Sequence, residues 1–295
     1  MKYSALEFLT TKELAELLRI KERRVYDLAA SGEVPCSRAT GKLLFPRKAI
    51  DQWLIEHGSG FAALRRKTRP DVLVGSHDPL LEWALVASKS GISSLFETSQ
   101  GGLSRFKEGG AICAGTHLFS PDDESWNVPL VLQDVEFRRA VLVEWARRRR
   151  GFVVRSGNPL GIKKWVDLEG RRVAARQAGS GAGQLFVHLA GKANVQLTED
   201  QFTSDCLSDF EAVLTVDREE ADVAFGLKCF ADQLKLDFIP IIEERFDLLV
   251  CRKAWFDEPF QSFMAFTKSA EFRQKAKSLG GYDIRSQWTV RCNGD

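Results

Sequence analysis

Leu14, Leu17 and Leu18 recur at helical spacing directly behind Thr10-Thr11-Lys12-Glu13. This pattern predicts a helix opened by a capping box: Thr10 accepts from the amide of Glu13, and Glu13 reaches back to the cap. A second helix is predicted from about Glu22 to Ser31, with Val25, Leu28 and Ala29 on its buried side and Gly32 as its stop. "VPCSRATGKLLFPRKAIDQWL" then reads as strand, Thr-Gly-Lys turn, strand and helix, a small wing followed by a closing helix. After residue 70 the pattern changes. "DVLVGS", "ISSLFETS", "AICAG", "RAVLVEW", "GFVVRSG", "EADVAFG" and "FDLLVCR" read as strands, with "PLLEWALVASKSG" and "GGLSRFKEGG" as helices. Strand-then-helix alternation with Gly and Ser at strand ends predicts an α/β fold built on a doubly wound sheet, with ligands at the carboxyl ends of its strands.

The change of pattern divides the chain into a head at 1–56, a linker at 57–70 ("HGSGFAALRRKTRP") and a body at 71–295. Charge divides it in the same place. Residues 1–70 hold 14 basic and 8 acidic side chains, net +6, and the remainder holds 28 and 32, net −4. A basic head on a mildly acidic body points the head toward a polyanion. A hydrophobic fraction of 44% and a charged fraction of 28% are ordinary for a globular protein. No apolar run is long enough to span a bilayer, and "MKYSALEFLTTKELAELL" lacks the apolar core of a secretion signal, so a cytoplasmic protein without a membrane partner is expected. The six cysteines show no Cys-x-x-Cys and fit reduced thiols. Cys113 and His117 stand four apart, but two ligands make a poor zinc site; they read as a buried thiol and an unrelated histidine, and no metal or cofactor is predicted.

In the head, Lys21, Arg23, Arg24 and Tyr26 lie at or near the start of the second helix, where helix-turn-helix modules meet the major groove. Arg38 and Lys42 would flank the wing tip and Arg47 would begin the last helix, positions suited to phosphate or minor-groove contact. Residues 8–54, from "FLTTKELAELLRIKERRVYDL" to "AIDQWL", resemble the excisionase-type helix-turn-helix domain, a relative of the MerR-type winged helix. That resemblance implies double-stranded DNA as a partner; a helical adaptor that binds protein is the alternative. In the linker, Arg65, Arg66, Lys67 and Arg69 read either as further phosphate contacts or as a solvated connection.

In the body, Gly75-Ser76, Ser99-Gln100-Gly101-Gly102 and Gly179-Ser180-Gly181 end three strands ahead of predicted helix starts. Unpaired amides at a helix start favour anions, yet ordinary strand-to-helix turns also use small residues and caps. The stretch "AARQAGSGAGQLF" lacks the Lys-Ser/Thr of a phosphate loop and the Gly-x-Gly-x-x-Gly of dinucleotide folds. "VLVGSHDPLLEWAL", "GGLSRFKEGGAICAGTHL", "GFVVRSGNPLGIKKWVDLEGRRVAARQAGSGAGQLF" and "EADVAFG" with "LDFIPIIEERFDLLV" are similar to the substrate-binding domain related to periplasmic molybdate-binding proteins, over about 71–270. The resemblance implies a bilobed type II clamshell and an oxyanion, molybdate or tungstate, held by Ser76, Ser99 and Ser180 with the Gly179 and Gly181 backbone.

Two departures from that pattern remove polar groups. Gly179-Ser180-Gly181-Ala182-Gly183 replaces Gly-Ser-Gly-Thr-Arg, and Phe246 stands in Glu244-Arg245-Phe246-Asp247-Leu248 where a tyrosine is usual. His77 and Arg176 are candidates to compensate, Arg176 reading equally as a surface residue. The run "ARRRRG" at 146–151 reads as a strand end and turn, a solvated edge that discourages strand pairing. Ser76-His77-Asp78 spells a catalytic triad, but neighbours in one turn cannot align as one, so no enzyme is expected. The expected protein is a ligand-responsive transcriptional regulator acting as a homodimer. The alternatives are a sensor of an organic metabolite and a DNA-binding protein whose body is a ligand-independent dimerisation or docking module.

Overall fold

The computed structural model describes residues 8–38, 41–57, 69–132, 134, 137, 139–177 and 179–293. The chain forms two compact units, Met1–Thr68 and Arg69–Asp295.

In the first unit, β1 (Phe8–Leu9) leads into α1 (Thr11–Leu18) and α2 (Glu22–Ala30), and β2 (Phe45–Pro46) leads into α3 (Arg47–His57). The capping box forms as the spacing predicts: the Glu13 amide donates to Thr10 Oγ1 at 3.3 Å, and the Thr10 amide donates to Glu13 Oε2 at 2.8 Å. Leu9, Leu14, Val25, Leu28, Phe45 and Ile50 make one small core. The wing departs from expectation. Among the described residues its arms meet only in a Ser37–Leu44 bridge, and Phe45–Pro46 pairs antiparallel with Phe8–Leu9 instead. Burial of Leu9 and Phe45 in the shared core accounts for that pairing. Ala39 and Thr40, in the predicted turn, lie outside the described residues.

The second unit opens with β3 (Val72–Gly75), α4 (Pro79–Ser88), β4 (Ser93–Phe96), α5 (Ser99–Lys107) and β5 (Cys113–Thr116). A ribbon of β6 (Phe119–Ser120) and β7 (Ser125–Trp126), then α6 (Val128–Leu132), precede β8 (Ala140–Val154). Next come β9 (Val173–Ala174), α7 (Gly181–Lys192), α8 (Asp209–Asp217), β10 (Val223–Leu227) and α9 (Lys228–Leu234). β11 (Asp237–Cys251), α10 (Glu258–Thr267), α11 (Ala270–Leu279), β12 (Tyr282–Asp283) and β13 (Val290–Asn293) complete it.

One nine-stranded sheet runs β4-β3-β5-β11-β8-β10-β9, with β12 and β13 also paired to β8. β3 lies parallel to β4 and β5, as strand-helix alternation predicts, whereas β8 and β11 are antiparallel over their whole 15-residue lengths. These two strands serve two lobes. Their Ala140–Ala146 and Phe246–Cys251 halves carry Trp145, Leu248 and Val250 into a core with α4, α10 and α11. Their other halves join β9 and β10, where Phe152, Val153 and Phe225 pack under α7 and α8.

The long strands overturn the reading of "RAVLVEW" and "GFVVRSG" as separate strands joined by an arginine-rich turn. Arg147–Arg150 pair in register with Ile242–Arg245 inside the sheet. Arg69, read as part of the linker, is held in the second unit: Nη1 donates to the carbonyls of Phe106 and, at 2.8 Å, Ala111, and the guanidinium lies 4.3 Å from the Phe106 ring centre. Arg65, Arg66 and Lys67 lie outside the described residues. None of the cysteines forms a disulfide.

Candidate functional site

A cavity of about 630 Å³ opens between the lobes of the second unit. Three helices with hydroxyl caps begin at it. Thr98 Oγ1 accepts from the Gly101 amide at the start of α5, Ser180 Oγ from Gly183 at the start of α7, and Ser208 Oγ from Glu211 at the start of α8, each at 3.0 Å. A cap satisfies only the third amide of its helix. The two before it, Gly181 and Ala182 in α7, have no carbonyl one turn back to bond. With the aligned peptide dipoles they make a positive end without any basic side chain.

Four of the predicted ligand residues, Ser76, His77, Arg176 and Ser180, line this one cavity although 104 positions separate the first from the last. Ser99 lies immediately behind it, fully buried, its hydroxyl sharing a 2.6 Å hydrogen bond with Ser76 and accepting from the His117 amide at 3.3 Å. Gly181 is buried: a Cβ there would come within 2.9 Å of the His117 carbonyl, so only glycine lets α7 start this close to β5. Gly179 is exposed and outside the lining. His77 Nε2 pairs with Glu82 at 2.9 Å and meets Phe96 edge-on. Arg176 is no surface residue. Its side chain is largely buried, Nη1 donates to the Cys206 carbonyl, and Nε lies 3.4 Å from Asp209 without making a hydrogen bond.

Beneath the cavity lies a buried ionic cluster. Glu244 on β11 accepts from Arg148 Nη2 and, at 2.6 Å, from Arg150 Nε; Arg150 also grips Asp209 through both terminal nitrogens at 2.7 and 3.0 Å. Arg148 reaches Asp78 at 3.0 Å, and Asp78 caps α4 through the Leu81 amide while accepting from Trp145 Nε1 and the Tyr282 hydroxyl. Arg148 and Arg150 are 1% and 0% exposed, so the arginine run is not a solvated edge. Side chains alternate across a strand; Arg149 faces solvent while its neighbours find carboxylates on three other elements.

Burial opposes ionisation of Glu244 and Asp209, but the guanidiniums outweigh it and hold both well below the usual carboxylate range. Burial also lowers His117, more than nearby Glu244 raises it, so its imidazole is neutral. That ring lines the cavity and stacks on Phe246; Nδ1 lies 3.4 Å from Glu244, outside hydrogen-bonding geometry. Phe246 itself is fully buried, with the Arg148 guanidinium 4.5 Å from its ring centre, and it is not among the residues that line the cavity.

Sequence reasoning missed His117, Asp209 and Glu244. The usable signal was the alternate Arg148 and Arg150 with an acidic residue in another strand of matching length. Among the described residues no group of side chains forms a metal site, and no helix is long and apolar enough to cross a membrane.

On the first unit, Lys21, Arg23, Arg24 and Tyr26 are all exposed along α2. Arg38 is exposed yet tied to the Ala29 carbonyl at 3.2 Å, Lys42 is exposed, and Arg47 pairs with Asp51 at 3.2 Å.

Comparison with known proteins agrees with both units. A helix-turn-helix domain model matches residues 8–58, and a PBP superfamily domain model matches residues 84–268. YvgK of Bacillus subtilis, an uncharacterised protein, is 24% identical over 94% of this chain and 95% of its own. An uncharacterised Clostridium pasteurianum protein, encoded upstream of a 2Fe-2S ferredoxin gene, is 33% identical over 29% of this chain and 76% of its own. Among solved structures, a phosphate-bound putative phosphate transporter substrate-binding protein of Clostridium perfringens superposes on 70% of this chain and 96% of its own, at TM-score 0.50 and 15% identity. The sulfate-binding protein SubI of Mycobacterium tuberculosis covers 72% of this chain and 85% of its own, at TM-score 0.50 and 17% identity. These likenesses establish a binding-protein fold of type II. The chain belongs to the PBP superfamily-domain family, and it carries that domain behind a helix-turn-helix domain.

Proposed function

We propose that this chain is a ligand-responsive DNA-binding regulator, whose first unit contacts duplex DNA and whose second unit holds a small anion in the cavity. The convergence of three hydroxyl-capped helix starts on one cavity lined by Ser76, Arg176 and Ser180 carries the ligand half. Preorganised amides and hydroxyls suit a tetrahedral oxyanion, with molybdate and tungstate the leading inorganic candidates. For the DNA half, Lys21, Arg23, Arg24 and Tyr26 form the contact surface, with Arg38, Lys42 and Arg47 beside it. A cytoplasmic homodimer reading two half-sites fits that use. Ligand changes DNA affinity only by as much as it prefers one lobe arrangement, typically about 1–3 kcal/mol.

The deciding experiment is thermal unfolding of the full chain with molybdate, tungstate, sulfate or phosphate, together with duplex binding, in wild type and Ser180→Asp. Aspartate caps a helix as well as serine does but puts a second negative charge at the anion's place. Wild type should be stabilised and the variant not, while both bind duplex. Absence of stabilisation by every anion tried removes the inorganic oxyanion; failure of organic ligands as well moves the body to a ligand-independent dimerisation module. One observation favours a second reading, an organic anion: 630 Å³ is far more space than four oxygens fill and lies in the range of pockets for organic ligands.

A further inference from the structure

We infer that the ligand of this cavity is a small organic zwitterion, an anionic group joined by a short chain to an ammonium. The inference rests on the ligand-binding reading above and names its chemical class. Two groups of lining residues differ in kind. Ser76 and Ser180 bring hydroxyls, and the ring of His117 lies beside them, 5% exposed. With the amides at the helix starts behind Ser180 and Ser208, this group takes the anion.

The charges of the ionic cluster cancel. Asp78, Asp209 and Glu244 balance Arg148, Arg150 and Arg176, leaving no net cation to draw in a bare dianion. The second group is acidic and aromatic. Glu82 and Glu97 both line the cavity, and each uses one carboxylate oxygen, toward His77 at 2.9 Å and Arg105 at 3.0 Å, leaving the other for a ligand. Phe96, Phe210 and Phe230 stand beside them. Carboxylates with aromatic faces are the surroundings an alkylammonium seeks, and they repel an anion with no counter-charge of its own.

The test is calorimetric titration of the full chain with two matched pairs, ethyl phosphate against phosphoethanolamine and butyrate against 4-aminobutyrate, alongside molybdate and sulfate. Within at least one pair the ammonium-bearing member should bind about tenfold or more tighter. In the Glu82→Gln/Glu97→Gln variant that advantage should vanish while the affinity for the plain anion holds or rises. Equal binding within both pairs, an advantage that survives in the variant, or tight binding of molybdate or sulfate alone overturns the zwitterion and leaves the anion sensor standing. No binding by any of the six compounds overturns both.

Discussion

The loop Gly179–Gly183 and the run Arg147–Arg150 are the two most conspicuous stretches of this chain, and they behave oppositely. The loop does close to what its residues say: Ser180 caps a helix through Gly183, three positions on, and lines the cavity. The arginines do the reverse of what a charge run suggests, with two of the four wholly enclosed. The loop's chemistry is completed within four residues. That of Arg148 and Arg150 is completed by Asp78, Asp209 and Glu244, which lie 59 to 96 positions away. Local satisfaction is visible in a local string; satisfaction at a distance is not.

The sharpest way to break the comparison is Glu244→Gln. If the arginines were a solvated edge, the change would be near neutral. With Arg148, Arg150 and Glu244 all enclosed, it leaves two guanidiniums short of a counter-charge, and the free energy of unfolding should fall by about 3–5 kcal/mol in denaturant titration. A loss under about 1 kcal/mol would mean that the cluster is hydrated and the contrast with the loop false.

Acid titration probes the same cluster with a smaller effect. Glu244 and Asp209 are depressed in the folded state, so their contribution is present above the ordinary carboxylate range and lost as pH falls through their folded values. Asp247 runs the other way: burial, only partly offset by Arg245 and Asn127, pushes it up to about 6. Its contribution is full below its unfolded value near 4 and lost as pH rises through 6, which is worth about 2–3 kcal/mol. His117, lowered by burial, works against that loss by gaining stability as pH rises toward 6.5, so Asp247→Asn should make stability rise more steeply, or fall less, between about pH 4 and 6 while leaving the acid limb unchanged.

The same distinction decides what could be read from sequence alone. The capping box at Thr10, the stop at Gly32, the strands of "VLVG" and "AICAG" and the cap at Ser180 rest on spacings of a few residues, and all formed. The long β8 is illegible in the string because a run of four charges reads as facing solvent. The wing's second arm is equally hidden, because Phe45 joins β1, far back in the chain. His117 reads as an unrelated histidine because Cys113, four positions back, completes no metal set with it; the groups it packs against, Phe246 and Glu244, are on β11. On the legible side of the comparison, Ser180→Ala should cost only about 1 kcal/mol, the worth of one cap, with ligand affinity falling further than stability does. Unchanged affinity would remove Ser180 from the site and leave it a cap.

The smallest expected effect is also the most informative about the arginine run. Arg147 and Arg149 point away from the cluster, Arg147 toward Glu243 at 3.1 Å and Arg149 into solvent. Arg149→Ala removes an exposed side chain from a paired strand and should shift stability by no more than about 0.5 kcal/mol. Set beside Arg148→Ala and Arg150→Ala, each of which strands a buried carboxylate, it makes three adjacent arginines alternate between severe, small and severe losses. That alternation has the period of a strand, and neither a turn nor a helix could produce it. A flat series would return the segment to the solvated edge that its composition suggests, and it would take with it the neutral floor on which the choice of a zwitterion over a bare dianion depends.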